Sequence, residues 1–125
     1  MKQDWNYRRG DVYLADLGEP IGSEQGGIRP VAVIQNESGC RRSTTMTVVP
    51  LTSNLKKLDQ PTHFLIKKNP ALSAPSMVEF EQIKTIDKSR VKGYMGKLTK
   101  EQLGEIDDYL KISLGMYIPE TVEAP

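Results

Sequence analysis

Short apolar stretches broken by glycine and proline run along most of the chain, the pattern of a small β-rich domain. Val12, Leu14 and Asp16 alternate with Tyr13, Ala15 and Leu17, which predicts a half-buried strand. Val31, Ala32, Val33 and Ile34 form a continuous apolar run, and its length suits a strand buried on both faces. Residues 46–51 make the next strand. Pro50 has no N–H to give a ladder, so that end of the strand is expected at an edge or a bulge. Residues 62–66 and 76–80 are two further short strands, 83–86 a weaker one, and 93–98 a last strand or an extended connection. Two polar segments separate them: 18–27, with Gly18, Pro20, Gly22, Gly26 and Gly27, and 36–44. Both are expected to be loops.

The C-terminal end follows a different period. Leu103, Ile106, Leu110 and Leu114 recur at helical spacing, with Glu105, Asp108 and Lys111 on other faces. Thr99 is the expected N-cap, Gln102 completes a capping box, and Gly115 supplies the left-handed residue that ends the helix. The sum is about five short strands and one terminal helix, a β-rich α+β domain built as a compact barrel or a strongly bent antiparallel sheet.

The chain has 125 residues, the size of one domain. Residues 1–7 are expected to be a loose lead-in, 8–118 the domain proper, and 119–125 a frayed tail. The apolar and charged fractions, 38% and 26%, are those of an ordinary globular protein. A formal net charge of +1 gives no global attraction to nucleic acid or an anionic membrane. Any binding of RNA must therefore concentrate basic groups in one groove. Cys40 is the lone cysteine, so no internal disulfide forms. The chain shows no signal-peptide pattern and no apolar run of membrane-spanning length, and a cytoplasmic location is expected.

Metal chemistry has little to work with. One histidine and one cysteine cannot build a zinc site, and Glu79 and Glu81 read as one face of a strand, solvated or paired with cations. No metal or other cofactor is expected. His63 titrates near neutrality, but no partner for it is visible in the sequence. Cys40 stands beside Arg41 and Arg42, whose charges could activate a thiol; without a Cys–His signature it reads as an incidental loop thiol. Gly26 and Gly27 belong to no phosphate-loop or dinucleotide pattern. There remains the stretch Gly22-Ser23-Glu24-Gln25-Gly26-Gly27-Ile28-Arg29-Pro30, a glycine-hinged loop that delivers one arginine to the start of a buried strand. Arg29 needs an anionic partner there, either a carboxylate or a phosphate. Thr52, Ser53 and Asn54 follow the 46–51 strand; hydroxyls in such a place are commonly turn residues.

These stretches, with Arg9-Gly10-Asp11-Val12-Tyr13, Val33-Ile34-Gln35-Asn36, Leu51-Thr52, Pro61-Thr62-His63, Glu81 to Lys88 and Ile112-Ser113-Leu114-Gly115, resemble the MazF/PemK family of toxin ribonucleases. The resemblance spans about residues 8–115. It implies an SH3-like barrel-shaped sheet with a C-terminal helix, related to the CcdB fold and assembled as a homodimer. It also implies metal-independent cleavage of single-stranded RNA at short sequences, leaving a cyclic phosphate and a 5′-hydroxyl. By the same resemblance Arg29 and Thr52 are the catalytic pair, with a share of proton transfer assigned to Arg29. The loop 20–27 would gate the RNA groove. Ser23, Glu24, Gln25, Ser53 and Gln82 are candidate RNA contacts, and Tyr13 and Phe80 are expected in the core rather than against bases. An antitoxin protein is the implied partner, wrapping the dimer with a disordered tail. Two other readings share the fold: a CcdB-like gyrase poison without nuclease activity, and an SH3-like binding module.

Overall fold

The computed structural model describes residues 5–22 and 24–116. The expected tail 119–125, the first four residues of the lead-in and Ser23 lie outside these. Seven strands make one sheet: β1 (Asp11–Asp16), β2 (Ile28–Val33), β3 (Thr45–Thr52), β4 (His63–Ile66), β5 (Ser76–Glu79), β6 (Lys84–Asp87) and β7 (Val91–Lys97). Their order is β4-β5-β3-β2-β1-β7, every described pairing is antiparallel, and β6 adds to the first half of β3. No described ladder joins β7 back to β4 or β6, so the sheet is strongly bent but not closed. Two helices complete the fold, α1 (Glu37–Arg42) and α2 (Lys100–Ser113).

The sheet has apolar residues on both faces. Tyr13, Ala15, Val31, Val33, Met46 and Val48 enter one core, while Val12, Ala32, Val49 and Leu51 enter a second. Val31, Ala32 and Val33 are thus buried on both faces, as their composition predicts, while Ile34 lies past the strand end and is only partly buried. β1 is not the half-buried strand its alternation suggests, because Asp11 and Tyr13 are buried as well. Their polar atoms are satisfied internally. The Tyr13 hydroxyl donates to Asp11 Oδ2 at 2.6 Å and accepts from Trp5 Nε1 at 2.7 Å. A buried polar strand is stable only with such partners, and burial raises the Tyr13 pKa far above the phenol range.

Pro50 lies neither at an edge nor in a simple bulge. It faces Val31 of β2 on one side. On the other side β6 pairs with β3 only up to Val48 and β5 resumes at Leu51. The missing N–H falls where the ladder is already interrupted.

The 36–44 segment is not a plain loop. It holds α1, capped by Asn36, whose side chain accepts the Gly39 N–H at 2.7 Å. Cys40 is therefore not a loop thiol but a core residue, 1% exposed, and burial pushes its pKa up. α2 begins with the predicted capping box and ends on Gly115 at φ 73, with the bonds of a Schellman motif from Gly115 N–H to Ile112 and from Met116 N–H to Lys111. Ile106 seats the helix in the second core, and the Tyr109 ring stacks on Phe80 and tilts against Phe64. Phe80 and Tyr13 are core residues, as expected. Leu114 departs from the predicted apolar face: the last turn runs past the core and leaves it 60% exposed. No described helix is long and apolar enough to cross a membrane.

Candidate active site

The long β1–β2 loop is closed at its base. Leu17 N–H donates to Gly27 O at 2.9 Å, and Gly27 N–H to Gly18 O at 2.8 Å. Gly26 passes so near Pro20 that a Cβ there would lie 2.5 Å from Pro20 Cδ and 2.9 Å from Gly18 O, so the position admits only glycine. This packing fixes the Gly26 carbonyl, which accepts Arg29 Nε at 2.7 Å. Arg29 is aimed by the loop that precedes it. Among the described residues no carboxylate forms an ion pair with its guanidinium. Gly26→Ala should displace the loop and with it Arg29. With Arg29 in the role that the resemblance implies, such a displacement should lower the single-turnover rate of RNA cleavage about 10²-fold, with the thermal transition still cooperative.

Strand register brings Thr52 to Arg29. Val31 faces Pro50 across the β2–β3 ladder. Two positions back on β2 stands Arg29, and two positions forward on antiparallel β3 stands Thr52, so both reach the same end of the sheet. Both line a cleft of about 250 Å³, with Ser53, Leu72, Ser76 and Met95 around them. Thr52 is buried except for its rim, 6% exposed. Its Oγ1 accepts the Asn54 N–H at 3.1 Å. Thr52 is thus a turn residue as well as a cleft residue. A hydroxyl that accepts one hydrogen bond still carries a proton of its own that can donate.

A second cleft of about 300 Å³ holds Gln25, Gln82, His63, Glu79 and Glu81, with Lys56 and Lys57 at its wall. Gln25 ties the loop to it: its backbone N–H donates to Gln82 Oε1 at 3.2 Å and its Nε2 to Glu79 Oε1 at 2.9 Å. His63 Nε2 meets Glu81 Oε1 at 2.7 Å, and Nδ1 meets the Lys57 carbonyl at 2.8 Å. Lys57 takes a left-handed backbone, φ 53. Both ring nitrogens face acceptors, an arrangement that only the doubly protonated imidazolium satisfies. No partner for His63 is visible in the sequence, and the structure supplies Glu81, which bears out the reading of that carboxylate as an ion-pair partner; the shared strand face expected for Glu79 and Glu81 does not form. Glu79 ends β5 opposite His63, Glu81 lies in the following 3-10 turn, and one ligand atom from each of the three residues lies within 4.8 Å of the others. The partners stand 16 and 18 positions apart in sequence, too far for any local pattern to announce.

Burial opposes charge on both members of this pair, yet their mutual hydrogen bond and attraction prevail. The His63 pKa is raised from its ordinary 6.5, and that of Glu81 is lowered from 4.5, with the Thr62 side chain also helping to lower it. A raised histidine stabilises fully below 6.5 and loses that contribution as pH climbs through its folded value. A lowered carboxylate stabilises above 4.5 and loses it as pH falls through its folded value. The stability difference between the native chain and Glu81→Gln, followed by denaturation from pH 3 to 9, is expected to be largest between about 4.5 and 6.5 and to shrink on either side. A pH-independent difference would contradict this pairing.

The sequence-predicted contacts therefore divide. Arg29, Thr52 and Ser53 share the first cleft, while Gln25 and Gln82 share the second. Glu24 lines neither; its carboxylate accepts the Ile21 N–H at 3.0 Å and holds the loop turn.

Comparison with known proteins adds an independent line. Residues 8–114 match the PemK-like, MazF-like toxins of type II toxin–antitoxin systems. The chain is similar in structure to an endoribonuclease solved with its cognate antitoxin from a mycobacterial species, at 26% identity and TM-score 0.75 over 90% of this chain and 99% of that one. It is also similar to MazF from Deinococcus radiodurans, at 24% identity and TM-score 0.78 over 90% and 100%. A MazE–MazF complex from the same organism contains a chain at 23% identity and TM-score 0.72 over 91% and 100%. With a bent antiparallel sheet, a C-terminal helix and a match over nearly its whole length, the chain belongs to the PemK-like, MazF-like family of type II toxins.

Proposed function

We propose that this chain is a sequence-specific, metal-independent endoribonuclease that cuts single-stranded RNA as the toxin of a toxin–antitoxin pair. The observation that carries the reading is the meeting, in one cleft, of a guanidinium that forms no ion pair among the described residues and a hydroxyl able to donate. RNA brings its own nucleophile, the 2′-hydroxyl beside the scissile phosphate. The enzyme supplies alignment, charge stabilisation and proton transfer. The 2′-hydroxyl gives up its proton as its oxygen bonds to phosphorus, the bond to the 5′-oxygen breaks and that oxygen takes up a proton, so the products are a cyclic phosphate and a 5′-hydroxyl with no net change in protons. Arg29, fixed through Nε, turns the rest of its guanidinium to the non-bridging oxygens as charge grows on them. Thr52 donates a second hydrogen bond to the same group. Arginine keeps its proton at any ordinary pH, so charge stabilisation is its main part.

Base selection falls to the second cleft, which Gln25 and Gln82 line, where RNA bases would exchange for the present amide contacts. Ser53, which lines the first cleft, contacts the RNA nearer the cut. Family resemblance extends the proposal to a cytoplasmic homodimer whose groove receives an acidic antitoxin segment; the similar endoribonuclease solved in complex with its cognate antitoxin supports an antitoxin as partner.

The test incubates purified protein with a long single-stranded RNA in EDTA and maps the fragment ends. Discrete cuts bearing cyclic phosphate and 5′-hydroxyl ends, lost in Arg29→Ala and Thr52→Ala, are the expected result. Intact RNA would reject the reading; gyrase inhibition in the same preparation would then point to the CcdB-like alternative, and inactivity in both assays to a binding module.

A further inference from the structure

The segment between β4 and β5 lies where family resemblance carries no residue roles, yet it borders the Arg29 cleft. Leu72, Ser73 and Ala74 line that cleft and also a neighbouring one of about 470 Å³, whose wall includes Lys67, Lys68 and Asn69. Both lysines are exposed, and neither forms an ion pair among the described residues. In a chain of net charge +1, two adjacent unpaired cations beside the proposed reaction site are a local concentration of positive charge.

This segment is held firmly from beneath. Asn69, 4% exposed, donates through Nδ2 to Lys97 O at 3.2 Å and to Gln102 Oε1 at 2.7 Å, and its Oδ1 accepts Ala71 N–H at 2.8 Å. Gln102 Nε2 in turn donates to Lys68 O at 2.9 Å. Gly96 of β7 lets Ala71 come close: a Cβ built at Gly96 would lie 2.8 Å from that of Ala71. The residue that caps α2 therefore also anchors the backbone carrying the lysines. Binding to such a preorganised surface loses little to loop ordering.

We infer that the cleft bearing Lys67 and Lys68 is a flanking-phosphate subsite, which receives the RNA backbone one or more nucleotides away from the bond cut at Arg29 and Thr52. The inference rests on the ribonuclease reading and extends it to substrate length. Leu72 lines both clefts and, with Met95 in the Arg29 cleft, offers apolar surface suited to a base face. The lysines strengthen binding in ground and transition states alike, so they act on KM rather than on kcat.

The experiment uses an RNA carrying one mapped cut site, shortened one nucleotide at a time from each end. The native chain, Lys67→Ala/Lys68→Ala and Lys67→Arg/Lys68→Arg are compared. On the long RNA the alanine pair should raise KM about 10-fold with kcat unchanged, and the arginine pair should restore it. The slope of log affinity against log salt should become shallower by about 1.4, from roughly 0.7 per phosphate contact on a single strand. Once the RNA is too short to reach this cleft, the native and alanine enzymes should coincide. Equal KM and salt slope on the long RNA would overturn the subsite, as would a loss that persists on the shortest substrate; in either case the lysines serve a protein partner or solubility instead. A native chain that cuts no RNA would sink the ribonuclease reading itself, a result distinct from these.

Discussion

Arg29→Ala is expected to lower the single-turnover rate of RNA cleavage by at least about 10²–10³-fold while leaving the fold intact. The lower end is what removal of one well-placed donor to a developing oxyanion costs in other hydrolytic sites. Arg29 supplies a full charge and several donors, so it should not fall below that. The side chain is half-buried, with one described hydrogen bond, to the Gly26 carbonyl. Its loss should therefore move the thermal midpoint by no more than a surface substitution does, about 0.5 kcal/mol or less. Arg29→Lys distinguishes charge from geometry. Lysine keeps the cation but has no Nε to hold to Gly26 and no planar fork for two phosphate oxygens. It should recover only a small part of the lost rate. A lysine enzyme of native activity would mean that a point charge suffices and that the anchoring by the loop is incidental.

The second large effect concerns stability. Ile106→Ala should cost about 2–5 kcal/mol, the range for removing a large aliphatic side chain from a tight core, and lower the thermal midpoint by roughly 10 °C for a chain of this size. Ile106 is fully buried and is the residue that seats α2 against Phe64 and Phe80, beside the stacked Tyr109. The helix N-terminus is also the anchor of the lysine segment, through Gln102. A helix that loosens should therefore weaken binding of long RNA before it affects short RNA. Leu114→Ala, on what the sequence presents as the same apolar face, should change stability by no more than about 0.5 kcal/mol, because that side chain is 60% exposed. Comparing the two melts measures how far the helix is packed and where it leaves the core.

That pair of residues marks how legible the fold is. Helical spacing identifies one face but cannot tell where the neighbouring sheet stops, so Leu114 looks equivalent to Ile106 until the tertiary structure is known. Local signals with a mechanism are faithful. Thr99 with Gln102, and Gly115 after the last turn, do what cap chemistry requires. Val31, Ala32 and Val33 are buried on both faces, as an unbroken apolar run requires, and only Ile34 past the strand end is partly exposed. Errors fall where a distant partner decides. β1 looks half-buried until Trp5 and Asp11 are seen to satisfy the Tyr13 hydroxyl. α1 is six residues long, too short for its period to show, and includes Gly39, a poor helix former.

The site divides in the same way. A glycine-rich loop ending in arginine is visible as a feature that needs an anion, but residue types alone do not single out phosphate over the commoner carboxylate. Its pairing with Thr52 comes from family resemblance. The structure adds the physical route, a β2–β3 register that carries both residues to one end of the sheet. His63 is visible as a titratable group, whereas its bonds to Glu81 and Lys57 depend on β4–β5 pairing and on a turn at Lys57 that no local pattern encodes. Lys67 and Lys68 are visible as charges; only packing shows that their backbone is fixed beside the Arg29 cleft.

If Arg29 and Thr52 act on one phosphate, removing both should cost little more than removing Arg29 alone, since groups that work as a unit are strongly non-additive. A double-mutant cycle measures this: single-turnover cleavage of one RNA by the native chain, Arg29→Ala, Thr52→Val and the double variant, in EDTA. Valine keeps the shape of threonine in its nearly buried position and deletes the hydroxyl alone. The account predicts a double variant within about tenfold of Arg29→Ala. Losses that multiply in full, or a Thr52→Val enzyme cutting at the native rate, would show that the two side chains share a cleft without sharing the reaction.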